Sequence, residues 1–557
     1  MSRVFEIADK YVDDIAALEP SLATALGIPG HDHEMPDLSL EGPAKVADLN
    51  RTTLQALTAA PVEGDADRIA RAVMEERIGV SLDIFSAGEY MRALRNIASP
   101  LQNVRQVFDY MPQETAEHWS NIASRLKLVP DTLAGYRQSL SEGLERGLHA
   151  SKRQATEGAE QARVWAGLSD KPSFFDQLQE RFTKSGVAAN GLAADIDTGV
   201  KAAREGYAEM HRYLVDDYVP RTSEREAAGR ERYQLMSRNF LGAVIDPEET
   251  YQWGWDELHR IEEEMRKTAE RIAPGASITE AVETLETDPA RAVEGVDNYK
   301  SWLQELHDEA LAELHGKHFE IPDAIRVIEV MIPPPGGALA AYYTGPSEDF
   351  RRPGRTWWPT GDNTRFAKWA DVSTVYHEGV PGHHLQVATV RLYPETLSRY
   401  QRVLTFISGH GEGWALYAER LMSELGYMEN PDSYLGLLSA QALRSVRVII
   451  DIGMHLELKI PRGESFHPGE TWNHDLALDF AVERALRPRS FMASEIVRYL
   501  GWPGQAISYK VGERYWLNAR EGARKAAGAA FDLKAFHTKA LSIGPMGLAQ
   551  LEQELAG

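Results

Sequence analysis

Apolar residues recur at helical spacing through nearly the whole chain, and one stretch breaks the pattern. In 64–84, Ile69, Val73, Ile78 and Leu82 fall at helical spacing with charges between them. In 247–272, Asp246 is placed to cap a helix, Pro247 occupies its first position and acidic residues fill its first turn. Tyr251, Trp255, Leu258, Ile261 and Met265 then form a single apolar stripe. Two more long helical patterns cover about 432–459 and 503–525. Residues 319–360 differ, with short β-branched and aromatic runs separated by Pro and Gly clusters. Strands are expected near 326–332, 339–344 and 355–358, with the Pro333–Pro335 run marking a strand end or edge. The fold class is therefore mainly α, with one small β-sheet just before the chemically richest segment.

A polar stretch with Pro and Gly near 219–230 divides the chain softly. The expected organisation is an N-terminal helical half, 1–225, and a C-terminal catalytic half, 226–557, packed as one body. Lys and Arg number 60 against 83 Asp and Glu, a net charge of −23, and no basic tract reaches five residues. This disfavours nucleic acid and anionic membrane surfaces as partners. With no cysteine, any transition metal must be held by His, Asp or Glu. The N-terminus lacks a basic segment followed by an apolar one, and no apolar run is long enough to span a bilayer. A cytoplasmic location is the expectation.

The segment 371–390, DVSTVYHEGVPGHHLQVATV, carries the chemistry. A zincin helix presents two histidines one turn apart, with the glutamate after the first acting as general base. His377-Glu378 opens that pattern, but position 381 holds proline and the next imidazoles are His383 and His384. On a straight helix His383 would lie ~120° from His377, and His384 would share its face but lie about 10 Å along the axis. Pro381 cannot continue the ladder, and Gly382 permits an unusual backbone. A two-residue bulge there returns His383 to the one-turn position; a straight helix would instead offer His384. In the following segment, SGHGEGWALYAERLM, Glu412 and Glu419 are seven residues apart on one face. Glu412, between Gly411 and Gly413, is the better third ligand. Glu419 suits the role of orienting a ligand imidazole through its distal nitrogen. His410, flanked by glycines, could be a ligand or a polar group near substrate.

HEGVPGHHLQ followed by EGWALYAERL resembles the bacterial domain-of-unknown-function 885 family, which is distantly similar to gluzincin metallopeptidases such as the thermostable carboxypeptidases and angiotensin-converting enzyme. GIPGHDHEMPDLS, YQWGWDELHRIEEEM, AAYYTGPSEDFRRPG and RYLGWPGQAISYKVGE extend the likeness over nearly the whole chain. The resemblance implies a large helical zincin-like body with a deep groove and one divalent metal per chain, zinc first. It implies His377, His383 and Glu412 as ligands and Glu378 as base, and it places Tyr342 or Tyr343 in the cleft.

In 498–516, Tyr509 is the first candidate for a neutral donor to a tetrahedral oxyanion, and Arg498 for a clamp on a substrate carboxylate. Core packing is the alternative for both. Ala340, Ala341 and Tyr342 could form an edge strand that pairs with an extended peptide. The expected activity is metal-assisted hydrolysis of a peptide or small amide. The alternatives are an inactive zincin-like scaffold that binds a peptide or small ligand, and a metal-dependent non-peptide amidase.

Overall fold

The computed structural model describes residues 2–333, 340–347 and 350–556. The described residues form twenty-two α-helices and two small sheets. They divide into two compact units. The first comprises Met1–Ala227 and Ser494–Trp502, and the second Ala228–Ala493 and Pro503–Gly557. The divide falls in the polar stretch expected to separate the halves. What the sequence pattern did not suggest is the assignment of 494–502 to the first unit.

In the first unit the long helix Ala116–Glu145 packs along Leu192–Tyr213, and Trp119, Leu126, Tyr136, Ile196 and Tyr207 are among the buried residues of its core. Arg125 on the first of these helices is fully buried. Its guanidinium donates to the carbonyls of Pro20, His31 and Glu34 at 3.1, 2.9 and 2.8 Å. These three bonds, made by Nε and one terminal nitrogen, offset part of the cost of burying the charge, while the other terminal nitrogen is buried without a partner. The GIPGHDHEMP loop is thus held by backbone carbonyls.

In the second unit Asp246 caps the helix Pro247–Ile272 as expected, accepting from the Glu249 amide at 3.0 Å. Tyr251, Trp255, Leu258, Ile261 and Met265 are all buried, and this helix packs along Pro431–His455. Burying one such side chain contributes about 1.5–3 kcal/mol. From Leu435 onward Pro431–His455 is buried on nearly every face, so it forms the centre of the unit.

The strands are β1 Ala292–Glu294, β2 Ile328–Met331, β3 Tyr342–Thr344, β4 Gly354–Trp357 and β5 Arg365–Ala367. The expected small sheet is present in the order β2-β4-β3, with β2 parallel and β3 antiparallel to β4. The β3 strand starts at Tyr342, so Ala340 and Ala341 precede it. Residue 339 and Pro334 and Pro335 of the proline run lie outside the described residues. A second sheet, the antiparallel pair β1–β5, corrects the expectation of only one. Its strands have three residues each, too short for a period of two to register.

The two edges of the larger sheet differ. Gln304, on the helix Val296–Leu314, donates to the Ile328 carbonyl at 2.9 Å and accepts from the Val330 amide at 3.0 Å. That side chain stands where a neighbouring strand would pair with β2, whereas β3 is the opposite edge.

Candidate metal centre

The helix Asp371–Glu378 stops at the glutamate and helical backbone resumes at His383. Between them the Val380–Pro381 peptide is cis. The Gly382 amide reaches back to the Tyr376 carbonyl at 3.0 Å, and the His384 amide to Gly379 at 3.1 Å. Position 382 has no room for a side chain, since a Cβ there would lie 2.0 Å from the His377 carbonyl oxygen. At Gly379 a Cβ would lie 2.4 Å from His307 Nδ1.

The break turns His383 toward His377. Their ring centroids are 4.8 Å apart, with planes at 85°. Glu412, on the helix Ser408–Glu424, puts Oε2 at 3.5 Å from the Nε2 atoms of both imidazoles. One ligand atom each from His377, His383 and Glu412 lies within 4.8 Å of the others. The distal nitrogen of His377 donates to the buried Glu419 carboxylate at 2.7 Å, which fixes the tautomer that leaves Nε2 facing the cluster. Glu378 is buried at the end of the first histidine helix.

The same helix break is tied to the glutamate helix by Trp414, whose indole N–H donates to the carbonyls of Pro381 and Gly382 at 2.8 and 3.2 Å. The spacing of Trp414 suggests a core residue. It is fully buried, and it also supplies the donor that this non-helical turn requires.

His384 points elsewhere. Its Nε2–H donates to the Ile325 carbonyl at 2.7 Å and its Nδ1 accepts from the Tyr343 hydroxyl at 3.0 Å. Burial pulls its pKa down to about 4, against the Ile325 hydrogen bond. Both nitrogens are occupied and the ring is neutral. His384→Ala is expected to leave metal affinity within a few-fold of the parent while costing stability. The two orphaned partners alone account for roughly 1–3 kcal/mol each. Calorimetric zinc titration beside thermal melting measures both effects. A large loss of zinc affinity without loss of stability would make His384 a ligand.

The cluster favours positive charge. Burial alone would lower the His377 pKa, but hydrogen bonds to Glu412 and Glu419 and the nearby Glu378 raise it to about 10. Burial pushes the Glu412 carboxyl up, yet the two imidazoles hold it well below the usual carboxylate range. Burial raises Glu378, with His377 and His383 opposing. Oε2 of Glu419 is buried without a hydrogen-bond partner. Three carboxylates around two imidazoles, with one imidazole oriented from behind, suit a divalent cation of the zinc type.

The profile of one bacterial family, described as "Bacterial protein of unknown function (DUF885)", matches residues 20–555. The chain belongs to the DUF885 family. No curated protein shows significant similarity to it. Among solved structures this DUF885 protein resembles one titled "putative lipoprotein from Colwellia psychrerythraea", with TM-score 0.84 and 22% identity over 100% of this chain and 99% of the other. It also resembles a "putative lipoprotein of unknown function from Shewanella oneidensis", with TM-score 0.76 and 18% identity over 99% of each chain. At these identities the likeness concerns the fold. Among the described residues of the DUF885 chain, no helix is long and apolar enough to cross a membrane.

The remaining candidates are placed as follows. His410 is buried but outside the ligand cluster, and its Nδ1 accepts from Gln386 at 3.1 Å. Its carbonyl receives the Trp516 indole at 3.0 Å. Tyr342 stacks on Trp357 with centroids 5.8 Å apart, and Tyr343 turns to His384. Tyr509 is near the start of the helix Ser508–Ala527, with the Arg447 and Arg444 guanidiniums 4.7 and 5.9 Å from its ring centroid. Arg498 is the candidate carboxylate clamp. It belongs to the first unit, its guanidinium bonds Glu495 at 2.8 and 3.1 Å, and it stacks on Tyr499.

Proposed function

We propose that this DUF885 protein is a metal-dependent hydrolase of peptide bonds, with His377, His383 and Glu412 holding zinc or another divalent cation and Glu378 as general base. The observation that carries the reading is the convergence of three ligand atoms within 4.8 Å beside the buried Glu378. Three protein ligands leave a coordination position open, the pattern of catalytic rather than structural zinc. The motif's similarity to gluzincin metallopeptidases favours the same chemistry. A bound cation of this kind acidifies water and polarises a carbonyl.

The chain's own residues would do the rest. Glu419 holds the His377 tautomer, so that Nε2 offers its lone pair to the cluster. A Glu378 carboxylate oxygen takes the proton of the attacking water and delivers it to the leaving amine. As an edge of the sheet among the described residues, β3 is the candidate strand to pair with an extended peptide by strand addition. The Tyr509 phenol remains the candidate donor to the oxyanion. Tyr509→Phe is expected to lower kcat and kcat/KM together by roughly 10²–10³ if it fills that role.

Elemental analysis of the purified full-length protein tests the metal part directly. About one zinc-type cation per chain is expected, either as purified or after dialysis against zinc. A protein that takes up no divalent cation even then overturns the reading. So does a metal-loaded protein that cleaves nothing in a mixed peptide library.

A further inference from the structure

A pocket of about 330 Å³ lies between three helices of the second unit. The helix Pro247–Ile272 gives it Arg260 and Glu264, Ser408–Glu424 gives it Arg420 and Ser423, and Pro431–His455 gives it Leu437 and Gln441. The volume is at the lower end of the range typical of small-molecule sites. None of His377, Glu378, His383 and Glu412 is in its wall, so it is separate from the metal cluster.

The carboxylates of the wall are bonded, whereas donors are left over. Glu264 accepts from Arg260 at 2.6 Å and from the Tyr434 hydroxyl at 2.7 Å. Glu424, also in the wall, accepts from Arg520 at 2.7 and 3.1 Å. Arg420 lies 3.1 Å from Glu513 and 3.6 Å from Glu257, yet makes no hydrogen bond among the described residues. The Glu513 Oε1 that it faces is likewise without one. Gln441 is 3% exposed, and the buried Lys510 ammonium donates to its Oε1. An ammonium can only donate, so this contact fixes which end of the amide is the oxygen. The Nε2 group is then a donor, buried and without a partner. A buried donor left unpaired is costly, which points to an acceptor that completes it.

The charge balance selects the class of ligand. Arg260 and Arg420 in the wall are matched by Glu264 and Glu424. Around them Lys510 and Arg520 match Glu257 and Glu513, with Lys510 at 2.5 Å from Glu513 and 2.9 Å from Glu257. A lone anion or cation would leave this set with an uncompensated charge, and a ligand that carries both signs would not. Leu437 and Leu438, both buried, supply an apolar wall. We infer that the pocket binds a small zwitterion of the α-amino-acid class with an apolar side chain. Its carboxylate is received by Arg420 and Gln441, and its ammonium by Glu264 and Glu424, whose oxygens have lone pairs to spare. The site needs no metal and does not depend on the hydrolase reading.

Calorimetric titration of the full-length protein with L-leucine tests the pocket. Saturable binding with a dissociation constant of about 1 mM or below is expected. N-acetyl-leucine lacks the ammonium and leucinamide lacks the carboxylate, and each should bind roughly ten-fold more weakly or worse. Arg420→Gln and Gln441→Leu should each cost a similar factor. Ser423→Trp, at a half-buried position of the wall, should fill the pocket and abolish binding; it serves if either of the other variants does not fold. Zinc-loaded and chelator-treated protein should bind leucine equally, which separates the pocket from the metal centre. No leucine binding at millimolar concentration, equal binding of the two blocked analogues, binding untouched by Ser423→Trp, or binding that disappears with the zinc overturns the inference. None of these results bears on peptide hydrolysis, which is measured separately.

Discussion

Glu378→Gln is expected to leave metal content at the parental level while lowering peptide hydrolysis by ~10²–10⁴-fold, the usual contribution of a positioned general base. The amide is close in shape to the carboxylate and cannot take a proton. Glu378 is not among the three groups whose ligand atoms converge, so its replacement removes no ligand. It is buried, and burial and the Glu412 charge push its carboxyl up while the imidazoles and Arg444 push it down. The neutral amide leaves one acidic group fewer in a crowded set, so thermal stability should hold or rise slightly. The measurement is kcat beside metal content by elemental analysis. Loss of metal in step with activity would make Glu378 a ligand and leave the proton without an acceptor.

His377→Ala is expected to weaken zinc binding well beyond the ~10–100-fold that typifies loss of an orienting partner. Glu419→Ala should fall within that range. The geometry separates them. Nε2 of His377 faces Glu412 at 3.5 Å, whereas Glu419 contacts the opposite nitrogen of the same ring at 2.7 Å. Competition with a chromophoric chelator reads both affinities. Glu419→Ala matching or exceeding His377→Ala would mean that the buried carboxylate is itself a ligand and that the ring is flipped.

Much of this site is legible from local spacing. Pro381-Gly382 announces a helix break, and a break of that length is what returns His383 to the His377 face; the Glu412–Glu419 spacing of seven places both on one side of the next helix. The Asp246 cap and the Tyr251–Met265 stripe are equally local signals, and the structure repeats them. What spacing could not tell is where partners distant in sequence would come from. His384 is taken up by a carbonyl 59 residues earlier and a phenol 41 residues earlier. Arg498 shares a segment with Tyr509, but the chain passes from one unit to the other at Trp502–Pro503, between them. The donor role of Trp414 was equally hidden, because its acceptors exist only once the turn has left helical geometry.

That tryptophan decides what can be moved as a unit. A graft of residues 371–390 into another scaffold would carry both histidines and the base, but not the indole that holds the carbonyls between them. In a foreign helix the same residues would be free to straighten, and His383 would swing out of register. The smallest portable piece therefore runs from Asp371 to Glu424, one broken helix and the continuous helix whose tryptophan keeps it broken. For anyone borrowing the motif for design, the tryptophan is as much a part of it as the histidines.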